Sequence, residues 1–328
     1  MNQTIVLLGS AGIGKSEIAL QYASSQRRFY HGVFWLSAEP SIDRGSSESL
    51  SRSLQDLKEQ LDNITINDWT RQKKRLWLLV IDGLDDLRGL NERALARVIP
   101  RHGIGDVIIT SQRRRATELG SLTVNVEALT LEEASTFLTR KIDTNLIVPH
   151  DQYSTQRVAR MLDCTPMALA QCIAVVNLSQ KSLSTYAASY HELMKRLNQK
   201  DGAASLLDDD EPVFGAPSKT ILTAWELSFH QIASKNQAIA GFLCSLAWLD
   251  TREIDHRVLE RAFIKRRSFG QDGKRTSLHA ETLSPDIAAL CGNEEPNSAL
   301  EKALAILFDF SLLVPLEGAK RVSMSSVS

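Results

Sequence analysis

The segment Gly9–Ser16, GSAGIGKS, has the residue types and spacing of a phosphate-binding loop. Three glycines permit positive φ and a close approach of the backbone, so successive N–H groups can converge on phosphate oxygens. Lys15 adds an ammonium for the terminal phosphates, and the Ser16 hydroxyl is a suitable Mg²⁺ ligand. The predicted nucleotide-binding residues of this loop are Gly9, Ala11, Gly12, Ile13, Gly14, Lys15 and Ser16.

Asp82 is the second residue that could do chemistry, because it ends the continuous apolar run LWLLVID. A carboxylate there can hold Mg²⁺ opposite Ser16, while Asp85 or Asp86 can orient an attacking water. Asp82 is equally suited to a turn or a helix N-cap, but the presence of Lys15 and Ser16 in the same sequence favours a metal site. We predict Ser16 and Asp82 as metal ligands, and Asp82, Asp85 and Asp86 as catalytic candidates.

A basic cluster, Arg113–Arg115, follows the apolar segment DVIITS. One of its guanidinium groups could reach a γ-phosphate, or the cluster could form a solvated face. The sequence leaves both interpretations open.

The elements that must position these residues alternate between strand and helix in the first half, which predicts an α/β fold with a covered parallel sheet. The run TIVLL before the loop reads as the first strand. The other predicted strands cover 32–37, 76–82, 106–111 and 122–126. Helices are predicted after the loop, over 46–61, and over 130–141 with Thr130 as N-cap and Glu133 at the capping-box position.

The second half has mainly helical patterns, over 156–162, 167–176, 183–197, 221–229, 238–249 and 300–313. The acidic, proline- and glycine-containing segment 201–218 reads as a linker. Trp225 and Trp248 have apolar neighbours, which predicts that they anchor a core rather than stack on bases.

Composition excludes some classes of protein. Among 328 residues, 38 Lys and Arg nearly balance 39 Asp and Glu, so the charge exerts no general pull toward nucleic acid or an anionic membrane. No apolar run approaches the ~20 residues that span a bilayer. With no such run and no signal-peptide pattern, we expect a cytoplasmic protein. The four cysteines lie far apart without a C-x-x-C pair, which favours reduced core thiols. The basic residues Arg252, Arg257, Arg261 and 265–267 form the only candidate for DNA contact, which we do not expect.

The order of GSAGIGKS, LLVIDGLDD, DVIITSQR, VEALTLEEASTFL and DCTPMALAQCIAV resembles the motif order of the NB-ARC subgroup of STAND P-loop ATPases. Residues 219–250 resemble the winged-helix part of fungal, NLR-like members. The resemblance implies a P-loop NTPase fold with parallel strand order 5-1-4-3-2, followed by a small helical domain and a winged-helix-like domain. The domains would be 1–145, 146–200 and 219–328, with the linker at 201–218.

Further implications of the resemblance concern the ligands. The family binds ADP in a closed state and ATP, with Mg²⁺, in an open state that forms homo-oligomers. Pro166 would face the adenine. Gln112 stands at the position of the family's sensor arginine, with Arg113 one place later; Gly83 replaces a common second acid, and Ser325 a histidine that contacts ADP.

These departures predict slow hydrolysis and, at Ser325, a closed state that ADP holds less firmly. The chain also lacks the family's flanking effector and repeat regions, so it is expected to be a core whose protein partners act through such regions. The favoured function is an adenine-nucleotide switch in signal transduction, at most a slow ATPase. The alternatives are a turnover ATPase acting on a macromolecular substrate, and a nucleic-acid-associated, ATP-dependent regulator.

Overall fold

The computed structural model describes residues 3–38, 46–73, 76–86, 98–100, 104–146, 152–201, 218–249, 254–263, 267–269, 275–277, 285–291, 295–316 and 321–324. The chain divides into two compact units, the first ending at Ala128 and the second beginning at Leu129.

A five-stranded parallel sheet forms the centre of the first unit. Its strands are β1 (Gln3–Leu8), β2 (Gly32–Ser37), β3 (Trp77–Asp82), β4 (Gly105–Ser111) and β5 (Leu122–Asn125). They lie in the order β2-β3-β4-β1-β5, which is the predicted 5-1-4-3-2 order read from the other edge. The register pairs Leu8 with Ser111 and Ser37 with Asp82, so the carboxyl ends of these strands meet along one edge. The predicted fold class is confirmed.

Helices cover both faces of this sheet. They are α1 (Lys15–Ser25), α2 (Ser46–Gln60), α3 (Ile66–Lys73) and a 3-10 helix (Arg114–Leu119). Ala19 and Ala23 of α1 pack against Leu78 and Val80 on one face. The opposite face buries a second set of apolar side chains, among them Phe34, Leu50, Leu79 and Ile81. Because both faces are covered, residues 77–81 of β3 are all fully buried, which explains their unbroken apolar run.

The second unit is mainly helical. Its helices are α4 (Leu131–Lys141), α5 (Gln152–Met161), α6 (Pro166–Ser179), α7 (Leu183–Asp201), α8 (Lys219–Lys235), α9 (Gln237–Leu246), α10 (His256–Phe263), α11 (Pro285–Cys291) and α12 (Pro296–Asp309). Its strands are β6 (Ile254–Asp255), β7 (Arg267–Phe269), β8 (Arg275–Ser277), β9 (Leu313–Leu316) and β10 (Arg321–Met324). Strands β6, β10 and β9 form an antiparallel sheet, and β7 pairs with β8.

The predicted start of α4 is confirmed in detail. The Thr130 side chain accepts a hydrogen bond from the Glu133 N–H, and the Glu133 carboxylate accepts one from the Thr130 N–H. The sequence placed this helix in a nucleotide domain ending at 145. In the structure α4 packs with α5 and α6, so it belongs to the second unit.

One hydrophobic cluster runs through the second unit, from Ala134 to Val322. It joins the predicted helical segment, 146–200, to the predicted winged-helix-like segment, 219–328. A buried polar contact does the same: the Gln171 side chain of α6 accepts a hydrogen bond from Ser228 Oγ of α8 at 2.8 Å and donates one to the Ser311 carbonyl at 3.0 Å. These two segments therefore share a core.

The two tryptophans behave differently. Trp225 is partly buried against the core of the second unit. Trp248 is 92% exposed, so the prediction that it anchors a core is wrong. The cause is the end of α9 at Leu246: the apolar pattern continues past the helix, but the side chains beyond it turn outward. Among the described residues, no helix combines the length and the apolar character needed to cross a bilayer.

Candidate phosphate and metal site

The predicted phosphate loop connects β1 to α1 at the carboxyl edge of the sheet. Gly9 begins it, and its N–H donates to the Ser111 carbonyl at 3.2 Å. A Cβ atom at Gly9 would lie 2.6 Å from the carbonyl oxygen of Val126. This oxygen belongs to the backbone after β5, so it cannot move without shifting the main chain. Only glycine fits where the ends of three neighbouring strands crowd together.

The middle of the loop alternates between buried and left-handed residues. The side chains of Ala11 and Ile13 are buried, so these residues can offer only backbone groups to a ligand. Gly12 and Gly14 have φ values of 67° and 97°, conformations that L-residues rarely adopt. Gly14 is also the N-cap of α1, and no side chain caps this helix. The N–H groups of its first turn therefore remain available to an anion, with the positive end of the helix dipole behind them.

Lys15 points back into the loop rather than into solvent. Its ammonium donates to the Gly9 carbonyl at 2.9 Å and to the Ser10 carbonyl at 2.8 Å, and the residue is only 9% exposed. The loop's own carbonyl groups thus hold the cation in the place where negative charge would be bound.

Ser16 and Asp82 meet as the sequence predicts. Ser16 Oγ donates to Asp82 Oδ1 at 2.7 Å, although the two residues are far apart in the chain. Neighbouring ligands of an octahedral Mg²⁺ lie about 3.0 Å apart when each is ~2.1 Å from the ion. This pair of hard oxygen donors therefore fits Mg²⁺ in both chemistry and spacing.

Thr110 is a member of the site that the sequence reasoning missed. Its hydroxyl donates to Asp82 Oδ1 at 2.6 Å and accepts from the Gly83 N–H at 2.8 Å. Gly83 has a φ of 74°, a left-handed conformation that favours glycine. Glycine at this position thus has a structural reason of its own. The one available signal was the position of Thr110 near the end of a strand next to β3.

Asp85 and Asp86 are both buried, at 6% and 5% exposure. The Asp85 carboxylate accepts hydrogen bonds from the last residue of β4 and the residue after it: from Ser111 Oγ at 3.0 Å, from the Gln112 N–H at 2.6 Å and from Gln112 Nε2 at 3.0 Å. Asp85 is therefore already engaged by protein groups. The role of Asp86 as a catalytic candidate stays a prediction.

The remaining predicted residues lie in different places. Gln112 lies at the sheet edge beside the loop, while Arg113 donates its backbone N–H to Ser111 Oγ at 3.1 Å. Pro166 opens α6 in the second unit, so its contact with adenine stays a prediction. Ser325 and the segment 202–217 lie outside the described residues, and so do the predictions made for them.

The candidate DNA-contacting residues are only partly described. Arg252 and residues 265 and 266 fall outside the described ranges. Arg257 forms an ion pair with Asp255 at 2.7 Å, and the hydrogen bonds from its side chain and backbone lower the pKa of Asp255 to about 2. The charge of Arg257 is thus largely offset by its neighbour.

No protein-family model matches this sequence, and the comparison with curated proteins gives no match. Solved structures do show similarity. A STAND (signal transduction ATPase with numerous domains) protein with a tetratricopeptide repeat sensor from Pyrococcus horikoshii has 14% identity and a TM-score of 0.44, covering 99% of this chain and 39% of that one.

Two further similar structures are the Holliday junction branch migration motor RuvB of Thermotoga maritima and PCH-2 of C. elegans. RuvB has 11% identity and a TM-score of 0.34 over 98% of this chain and 85% of its own. PCH-2 has 13% identity and a TM-score of 0.34 over 72% of this chain and 62% of its own. At TM-scores below 0.5 these similarities carry no argument about function, and this chain spans about two fifths of the STAND protein's length.

Proposed function

We propose that this protein is an ADP- and ATP-binding switch of the NB-ARC or STAND type, acting in signal transduction. One observation carries the proposal: the Lys15 ammonium is held inside a glycine loop whose next residue, Ser16, contacts Asp82 from the neighbouring motif at 2.7 Å. A glycine loop, an enclosed cation and a serine–aspartate oxygen pair together form the set of groups that nucleotide phosphates with Mg²⁺ require.

Each group has a role in binding. The loop N–H groups and the first turn of α1 would hold the phosphate oxygens, and Lys15 would neutralise the terminal phosphates. Ser16 and Asp82 would hold Mg²⁺, and Thr110 would orient Asp82 for that purpose. The metal would supply charge neutralisation between the phosphates and the carboxylate.

Two features support slow hydrolysis. Asp85 is engaged by Gln112 and Ser111, which limits its use as a water-orienting group. The neutral Gln112 stands where the resemblance places a cationic sensor. Occupancy by ADP or ATP, rather than rapid turnover, would then set the arrangement of the domains and oligomerisation in the ATP-bound state.

Lys15→Ala tests the proposal by isothermal titration with ADP and Mg²⁺. Loss of a charge-assisted contact to a phosphate should weaken binding at least tenfold. Lys141→Ala, at the exposed C-terminal end of α4, is the matched control and should bind as the parent does. Equal affinity of Lys15→Ala and the parent would show that the site lies elsewhere.

A single-turnover hydrolysis assay, run beside a test for co-purified ADP, separates the switch from the turnover ATPase. We expect bound ADP and hydrolysis well below the ~1–100 s⁻¹ typical of phosphoryl-transfer enzymes such as kinases. Fast turnover without retained ADP would favour the alternative.

A further inference from the structure

Asp85 makes a two-point contact with a single residue, Gln112. Its Oδ1 atom accepts the Gln112 backbone N–H at 2.6 Å, and its Oδ2 atom accepts Gln112 Nε2 at 3.0 Å. Ser111 Oγ also lies 3.0 Å from Oδ1, but it has a nearer acceptor in the Leu84 carbonyl at 2.7 Å. Both the backbone and the side chain of Gln112 are thus fixed by one carboxylate.

Gln112 lies close to the start of the phosphate loop. Gln112 directly follows Ser111, which pairs with Leu8 in the sheet and accepts the N–H of Gly9. Gln112 therefore lies at the carboxyl edge of the sheet, next to the start of the phosphate loop. A phosphate chain bound along that loop extends over this edge, where ligands bind in open parallel sheets.

Hydrogen-bond counting favours a positioning role for Asp85. A carboxylate offers about four acceptor positions, and protein groups approach three of those of Asp85. The residue is only 6% exposed, which leaves little access for an attacking water. An amide nitrogen, in contrast, carries two hydrogens, so Gln112 Nε2 can donate one to Asp85 and the other to a phosphate oxygen.

We infer that Asp85 is a positioning residue that aims the Gln112 carboxamide at the terminal phosphate of a bound nucleoside triphosphate, making Gln112 an uncharged sensor of that phosphate. The inference rests on the proposed nucleotide site. Asp85 and Gln112 together would then discriminate between ATP and ADP, and Asp85 would not orient the attacking water.

The experiment measures the affinities for Mg²⁺-ADP and for a non-hydrolysable Mg²⁺-ATP analogue in the parent, Asp85→Asn, Gln112→Ala and the double variant. Asparagine keeps the Oδ1 acceptor for the Gln112 backbone N–H, but it presents an N–H₂ group to Gln112 Nε2. Two donors then face each other, so the Gln112 carboxamide is no longer held in its orientation. We expect the ATP-to-ADP affinity ratio to fall about tenfold in each single variant. The double variant should show no further fall, since both changes remove one contact.

A reversed pair separates positioning from a purely structural role. In Asp85→Asn combined with Gln112→Glu, the asparagine amide can donate to the new carboxylate, which restores the contact between the two residues. This variant should melt near the parent's temperature yet discriminate against the ATP analogue, because a carboxylate then faces the terminal phosphate.

Three results would overturn the inference. In the first, Asp85→Asn leaves the ATP-to-ADP affinity ratio unchanged but slows single-turnover hydrolysis, and this slowing adds to the effect of Gln112→Ala. Asp85 would then be the water-orienting group. Another is an equal loss of both affinities, which would make the contact structural. If the parent binds neither nucleotide, the proposed function fails as well, and that outcome is distinct from the other two.

Discussion

Thr110 determines how the Asp82 carboxylate is presented at the sheet edge. The residue is 1% exposed, and its hydroxyl is shared between Asp82 Oδ1 and the Gly83 N–H. The Ser16 hydroxyl shares the same carboxylate oxygen. Asp82 is thus held by two hydroxyl groups, one buried and one exposed. Only the exposed one needs to move for an ion to enter.

Thr110→Val should test this arrangement, since valine keeps the shape and the strand preference of threonine. The change leaves the Gly83 N–H unpaired, so we expect a loss of about 1–3 kcal/mol in the free energy of unfolding of the first unit. We also expect Mg²⁺ to enhance ADP affinity less than in the parent, because Asp82 then keeps only its contact with Ser16 and is held less firmly. Urea denaturation and titration calorimetry measure the two effects.

The control for this substitution is Thr123→Val, on the edge strand β5, where the side chain is only half-buried. It should change neither stability nor the Mg²⁺ effect by much. Equal losses in the two variants would mean that the Thr110 hydroxyl has no special role.

At the scale of elements, the capping box of α4 links stability to pH. Hydrogen bonds from the backbone and then from the side chain of Thr130 lower the pKa of the Glu133 carboxyl. A depressed folded-state pKa means that this contribution is fully present above the unfolded pKa and is lost as pH falls through the folded value. The contact therefore acts at neutral pH and fades under acid conditions.

Thr130→Ala should lower the free energy of unfolding of the second unit by about 0.5–2 kcal/mol at pH 7, since it removes an N-cap. The difference between the variant and the parent should shrink as the pH falls and Glu133 becomes protonated. Urea unfolding followed at pH 7, 5 and 3 measures this. A difference that stays constant with pH would show that Glu133 does not contribute through its charge.

The sequence predicted best those elements whose pattern is local and strong. The five parallel strands and α4 were predicted within a residue or two, because continuous apolar runs and a capping box leave few alternatives. Helix α3 was missed, since INDWTRQK is mostly polar and only two of its residues, Ile66 and Trp69, pack against the core. That ring packs edge-on against Phe34 of β2 at 5.1 Å, a contact that no local pattern reveals.

The site follows the same rule. Gly9–Ser16 could be identified as a phosphate loop from the spacing of its glycines, Lys15 and Ser16, and Asp82 from its place at the end of an apolar run. Thr110 and the pairing of Asp85 with Gln112 arise from the adjacency of β3 and β4, strands separated by more than twenty residues in the chain. Strand order was available only through a resemblance, so hydrogen bonds across those strand ends could not be derived from the residues alone.

At the scale of the whole molecule, the two compact units have separate cores. The sheet of the first unit buries its faces under its own helices, while one apolar cluster runs through the second unit. The sequence divides that second unit into a helical and a winged-helix-like part. The shared cluster, and the Gln171 contact with Ser228 and Ser311, instead predict that both parts unfold together.

We expect two unfolding transitions in scanning calorimetry. Mg²⁺-ADP should raise the midpoint temperature of the transition that belongs to the first unit. Gln171→Leu should lower the free energy of unfolding of the second unit by about 1–3 kcal/mol, because it removes the donor to the Ser311 carbonyl and leaves the buried Ser228 hydroxyl only its longer contact with the Ala224 carbonyl at 3.2 Å. The second-unit transition should stay single, since Gln171 lies within one continuous core. Gln237→Leu, at an exposed position on α9, is the control. A second-unit transition that splits in two would show that the helical and winged-helix-like parts are independent domains.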